Sequence, residues 1–244
     1  MLVTPDCVLL NLPMTGATLV EEMLRLVYGD RAVDHGRRHA GCAALPADAR
    51  DKPLLSVFRS PFDRYVSQYH YGCWRQQPGM YCDPARVRAQ WPAYPDITFG
   101  QFVRIANAHF IDPAWADDGA APLGWHTEQF VRMYAREPDA ARATLQTHAP
   151  CARTLDALCH PVHFLLADAD GVEAALRVWL RDAGVPATRI ALLDDFVPSQ
   201  PERMHELRLR RDARRYYDAA LAEEIRARER WLFERFHPTA TAAA

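Results

Sequence analysis

Apolar positions in this chain gather into short runs, each followed by residues at helical spacing. Val8, Leu9 and Leu10 form an apolar run bounded by Asn11 and Pro13, which predicts a buried strand. Apolar residues then recur at positions 19, 20, 23, 24, 26 and 27, one face of a helix, with the small residues Thr15-Gly16-Ala17-Thr18 between strand and helix. A second strand is predicted at Ala32–His35. A third is predicted over residues 52–58, closed by Arg59, with Pro61 at a favoured early position of the next helix. His163–Leu166 reads as a further strand, followed by a helix from Gly171 to Ala183. Strands alternating with helices imply an α/β fold, a parallel sheet flanked by crossover helices, as a single domain over residues 1–237.

The remaining stretches are less regular. Residues 72–124 are rich in aromatics and are broken by Pro78, Pro84, Pro92, Pro95, Pro113 and Pro122. This segment is expected to be an insertion over the ligand crevice that shapes an acceptor pocket, or a cap packed by its own aromatics. Within it, Thr98–Ala108 predicts one short helix. A further helix is expected from Trp125 to near Pro138, with His126 at its start, and residues 139–160 read as helix or loop. Tyr216–Phe236 predicts one long amphipathic helix, and Pro238–Ala244 a disordered tail.

The 244 residues carry a net charge of −2, which gives no general attraction to nucleic acid or to anionic membranes. Lys52 is the single lysine among 29 basic residues, so arginine abundance is read as the codon bias of a GC-rich genome and is weak evidence of function. The arginines between 202 and 215 are interleaved with acids and lack an aromatic platform, so they read as a solvated helix face. No signal peptide is expected, and no run approaches the ~20 apolar residues of a membrane span, which points to the cytoplasm. The six cysteines form no C-x-x-C pair and are expected to be reduced. Cys151, Cys159, His160 and His163 fit no standard zinc spacing, and no metal is expected.

A strand, a small-residue turn and a helix together aim backbone amides at an anion, most simply a phosphate; an ordinary strand-to-helix turn is the alternative. The Walker pattern G-x-x-x-x-G-K-(S/T) is absent. Pro13-Met14-Thr15-Gly16-Ala17-Thr18 resembles the P-K-T-G-(S/T)-T loop of sulfotransferases that use 3′-phosphoadenosine 5′-phosphosulfate (PAPS), with Met14 where that family has lysine. Arg59-Ser60-Pro61-Phe62-Asp63-Arg64-Tyr65-Val66-Ser67 resembles the same family's R-(N/D)-P-x-(D/E)-R-x-x-S segment.

The resemblance implies a P-loop NTPase-like sulfotransferase fold. It also implies that residues 13–18 wrap the 5′-phosphosulfate of PAPS and that Arg59 and Ser67 hold its 3′-phosphate. Guanidinium forks and hydroxyls suit that task. An acceptor base is still required, and Glu22 and His39 are the candidates. Glu22 lies at an offset used by some carbohydrate sulfotransferases, and His39 lies near the carboxyl end of the second predicted strand. The alternative for His39 is a solvated basic turn. The expected reaction moves a sulfuryl group to a hydroxyl or amine of a small-molecule or glycan acceptor, leaving PAP. Because Met14 carries no charge, three outcomes fit: a slow enzyme, one rescued by an arginine such as Arg37 or Arg38, or, as the competing reading, a catalytically silent relative that binds the nucleotide or a partner. A P-loop kinase fits less well, since neither G-K-(S/T) nor an acidic Mg²⁺-holding strand end is present. A homodimer is compatible with the sequence, which names neither the acceptor nor the oligomeric state.

Overall fold

The computed structural model describes residues 1–116, 122–167, 171–199 and 213–237. The predicted tail 238–244 and most of the arginine-rich stretch from 202 lie outside the described residues. The chain divides into two compact units.

The first unit comprises residues 1–59, 132–136 and 159–208. It holds a five-stranded sheet built from β1 (Leu2–Val3), β2 (Val8–Leu10), β3 (Val33–Asp34), β4 (Leu54–Phe58) and β5 (Val162–Leu166), in the order β3-β1-β2-β4-β5. β2, β4 and β5 run parallel, with Leu9 opposite Leu55 and Val57 opposite Leu165. The wholly parallel sheet expected from the sequence is corrected to a mixed one, because β1 pairs antiparallel with both β2 and β3. The reason is chain length. Four residues separate β1 from β2, enough for a tight reversal and far too few for a parallel crossover. Thr4 closes the reversal, its amide donating to the Cys7 carbonyl at 2.9 Å and its hydroxyl at 3.0 Å. Two antiparallel steps return β3 to the direction of β2, so its carboxyl end still points to the edge where β2, β4 and β5 end.

Strand alternation puts Leu9, Leu55, Val57 and Leu165 on one face of this sheet. They share a core with Val20, Met23 and Leu24 of the Ala17–Tyr28 helix and with Leu176 and Leu180 of the Val172–Asp182 helix. The opposite face carries Ser56, whose buried hydroxyl donates to the Leu10 carbonyl at 2.7 Å and lies 2.6 Å from the Tyr134 hydroxyl.

The second unit comprises residues 60–131, 137–158 and 209–244, and its described part is helical. Pro61 opens the Pro61–Tyr71 helix as expected. The helix predicted at Thr98–Ala108 is α-helical over Phe99–Ile105, starts on a Thr98/Gln101 capping box, and continues as a π-helical turn over Ala106–Phe110. Aromatic side chains of the 72–124 segment pack on one another, with Trp74 5.0 Å from Phe102 and 6.0 Å from Tyr94 between ring centroids. The long helix expected over Tyr216–Phe236 is corrected to two, Ala219–Arg228 and Arg230–Phe236, broken at Glu229. Glu229 is fully buried among hydrogen-bond donors from distant parts of the chain, and the break lies at that residue.

Among the described residues no helix is long and apolar enough to cross a membrane.

Candidate functional site

β2 ends at Leu10, and the chain turns through Asn11–Gly16 into the Ala17–Tyr28 helix. Met14 (φ 63°) and the N-cap Gly16 (φ 97°) both adopt left-handed backbone. Glycine does so without a steric penalty. Met14, the one non-glycine residue with positive φ among those described, bears roughly 1 kcal/mol of strain. Thr15 is fully buried, and its hydroxyl donates to the Leu12 carbonyl at 2.9 Å, which pins the turn from inside.

As a result, the amides of Thr15, Gly16, Ala17 and Thr18 bond to no described residue, while the Leu19 amide closes back on the Gly16 carbonyl at 3.0 Å. The first helical turn carries no acidic side chain. A cluster of unpaired amides at the positive end of a 12-residue helix favours an anion.

A charged cluster borders this loop. The Arg38 Nη2 donates to Thr18 Oγ1 at 3.0 Å and to Glu21 Oε2 at 3.1 Å. Asn11 Nδ2 donates to the same Glu21 oxygen at 3.2 Å, and Arg25 joins Glu21 (3.1 Å) to Asp34 (2.6 Å). A cavity of about 350 Å³ opens here, lined by Leu9, Asn11, Glu21, Asp34 and Arg38 among others.

His39 is exposed, and its Nδ1 lies 2.8 Å from the Asn11 carbonyl, at the carboxyl end of β2. A carbonyl only accepts, so Nδ1 carries the proton of this bond and Nε2 of the neutral ring keeps its lone pair. Glu22 is turned elsewhere. Its carboxylate accepts from the Ser199 amide at 3.0 Å and from the Ser199 hydroxyl. The adjacent glutamates thus have separate tasks, with Glu21 in the loop cluster and Glu22 tied to the segment after the Ala191–Asp195 turn.

Arg59 follows β4 directly and is half-buried at the carboxyl edge of the sheet, the edge where the 13–18 loop begins. Ser67 belongs to the second unit, where it is buried on the Pro61–Tyr71 helix.

The second unit also contains a buried polar cluster that sequence reasoning missed. Glu229 Oε1 accepts from the Tyr65 hydroxyl (2.8 Å) and the His126 amide (3.0 Å). Its Oε2 accepts from the Thr127 amide (2.8 Å) and hydroxyl (2.7 Å). The carboxylate therefore caps the Trp125–Tyr134 helix from about a hundred residues away. Burial raises the Glu229 carboxyl above the usual range, against the opposing pull of its four donors. His126 sits at the start of the helix as expected, fully buried, with Nε2 2.7 Å from Gln68 Oε1. Burial, followed by the Arg64 charge, pushes its imidazole well below the ordinary value, so it is a neutral packing residue. No local signal marks Glu229, which stands in a charged helical run where an exposed residue is the default.

Among the described residues no group of three or more His, Cys, Asp or Glu side chains is placed to hold a metal ion. In comparison with known proteins, no family model, no curated protein and no solved structure matches this chain.

Proposed function

We propose that this protein binds PAPS through the 13–18 loop and transfers its sulfuryl group to a hydroxyl or amine of a small-molecule or glycan acceptor. The observation that carries the reading is the set of four amides at residues 15–18 that have no partner among the described residues, with Arg59 at the end of the adjacent parallel strand β4. These are the two elements whose sequences resemble the PAPS-dependent sulfotransferases, and the reading takes their P-loop NTPase-like fold with it.

In the proposed reaction His39 Nε2 takes the acceptor proton, and the acceptor oxygen or nitrogen bonds to sulfur. The bond from sulfur to the bridging oxygen breaks, and PAP leaves with the electron pair. The loop amides oppose the charge that develops on the leaving phosphate without having to reorganise. His39 is preferred to Glu22 as base because its tautomer is fixed with Nε2 available, whereas the Glu22 carboxylate is engaged by Ser199. Arg59 is the proposed ligand of the 3′-phosphate.

The test is calorimetric titration with PAP, using ATP as control. Micromolar binding of PAP that is lost in Arg59→Ala supports the donor site, and absence of PAP binding refutes it. The neutral side chain of Met14 favours a second reading, a protein that keeps the nucleotide site without turnover. Sulfate transfer from labelled PAPS to any acceptor, abolished by Arg59→Ala, would exclude that reading.

A further inference from the structure

We infer that Arg38 supplies the cationic contact to the anion held by the 13–18 loop, at a site where residue 14 offers none. The inference rests on the donor-site reading above and adds to it the residue that carries the charge. An oxyanion on four backbone amides still seeks a full positive charge nearby, since amides contribute only partial charges. Met14 has no charge, and the single lysine, Lys52, is committed elsewhere, with Nζ donating to the Thr4 carbonyl at 2.6 Å.

Arg38 is far from the loop in sequence, yet its guanidinium is set on the first turn of the loop helix. Nη2 serves both the Thr18 hydroxyl and Glu21. Thr18 also carries one of the unpaired amides, so the guanidinium and the amides flank the same residue. Glu21 is the positioning residue. It is less exposed than Arg38 (19% against 51% for the side chains) and is held in turn by Asn11 and Arg25.

The geometry leaves the guanidinium work to do. Its contacts with the protein use Nη2 alone, while Nε and Nη1 meet no partner among the described residues. Three N–H donors are therefore left without a partner among the described residues, enough for a forked contact to phosphate or sulfate oxygens. Arg25 bridges Glu21 and Asp34 and offsets one of their two negative charges, so that with Arg38 the cluster is neutral and the anion is met through the remaining N–H donors of Arg38. The expected ligand group is a phosphate or phosphosulfate at the 5′ position of the donor.

The experiment compares PAP with adenosine 3′-monophosphate, which lacks the 5′ anion, by calorimetry on wild type, Arg38→Ala, Arg38→Lys and the double variant Arg38→Ala/Met14→Lys. Arg38 is half-exposed, so its truncation leaves the core intact. In Arg38→Ala, PAP affinity should fall about tenfold to a hundredfold, with the affinity for adenosine 3′-monophosphate unchanged. Arg38→Lys should recover part of the loss, and the double variant most of it. If Arg38→Ala binds PAP like wild type, the inference is overturned while the donor site stands. Equal losses for both nucleotides also overturn it, since Arg38 would then act through the fold. A wild-type protein that binds neither nucleotide refutes the donor-site reading and the inference with it.

Discussion

Replacing Glu229 by glutamine keeps the shape of the side chain and inverts the polarity of one of its two ends. Each carboxylate oxygen accepts one backbone amide and one hydroxyl: His126 N and Tyr65 OH on Oε1, Thr127 N and Thr127 OH on Oε2. The hydroxyls can rotate away from an intruding NH₂ group, but the two amides are fixed by the helix that they begin. Whichever way the glutamine turns, one buried amide faces a donor. An unsatisfied buried donor costs about 1–3 kcal/mol, and the charge-assisted character of the remaining bonds is also lost. Relief from burying a charge offsets part of this. The expected net loss for Glu229→Gln is about 2–3 kcal/mol at neutral pH, read by urea denaturation followed through tryptophan fluorescence, with Trp125 and Trp231 as buried reporters.

The pH dependence carries a sign. Because the folded-state pKa of Glu229 is raised, proton binding favours the folded protein. This contribution is fully present below the ordinary carboxylate range and is lost as pH rises through the folded value. The stability gap between wild type and Glu229→Gln should therefore widen from neutral toward acid pH. A loss below about 0.5 kcal/mol would refute the capping argument, and a gap that narrows on acidification would refute the raised pKa.

Two further outcomes follow from the same physics. Met14→Gly removes the left-handed strain at φ 63° and should raise stability by up to about 1 kcal/mol, measured by thermal or chemical denaturation, unless unfolded-state entropy consumes the gain. His126 has a depressed folded-state pKa, so its contribution is present above the ordinary histidine value of about 6.5 and is lost as pH falls below it. His126→Asn should flatten the acid-side decline of stability, and an unchanged slope would show that another group titrates there.

Local features of the sequence were enough to locate β2, β3, β4 and β5 and the helices that follow β2 and β5. β2 and the Ala17–Tyr28 helix are marked by an apolar run and a helical stripe that need no distant partner, and Gly16 and Pro61 punctuate the chain where they stand. The candidate loop and Arg59 were legible for the same reason, since contiguous residues carry both motifs. Two-residue strands such as β1 carry no periodic signal, so the antiparallel edge of the sheet emerged only from pairing. Arg37 and Arg38 are equal candidates along the chain, and only folding set the Arg38 guanidinium on Thr18. Likewise the Glu21–Glu22 pair is ambiguous along the chain, until Asn11 and Arg38 engage one carboxylate and Ser199 the other. Glu229 shows the limit most clearly. A helix N-terminus needs acceptors but does not dictate their source, and here the acceptor comes from about a hundred residues away. Short-range steric and hydrophobic preferences are written in consecutive residues, whereas partners for buried charges and amides are chosen by long-range packing.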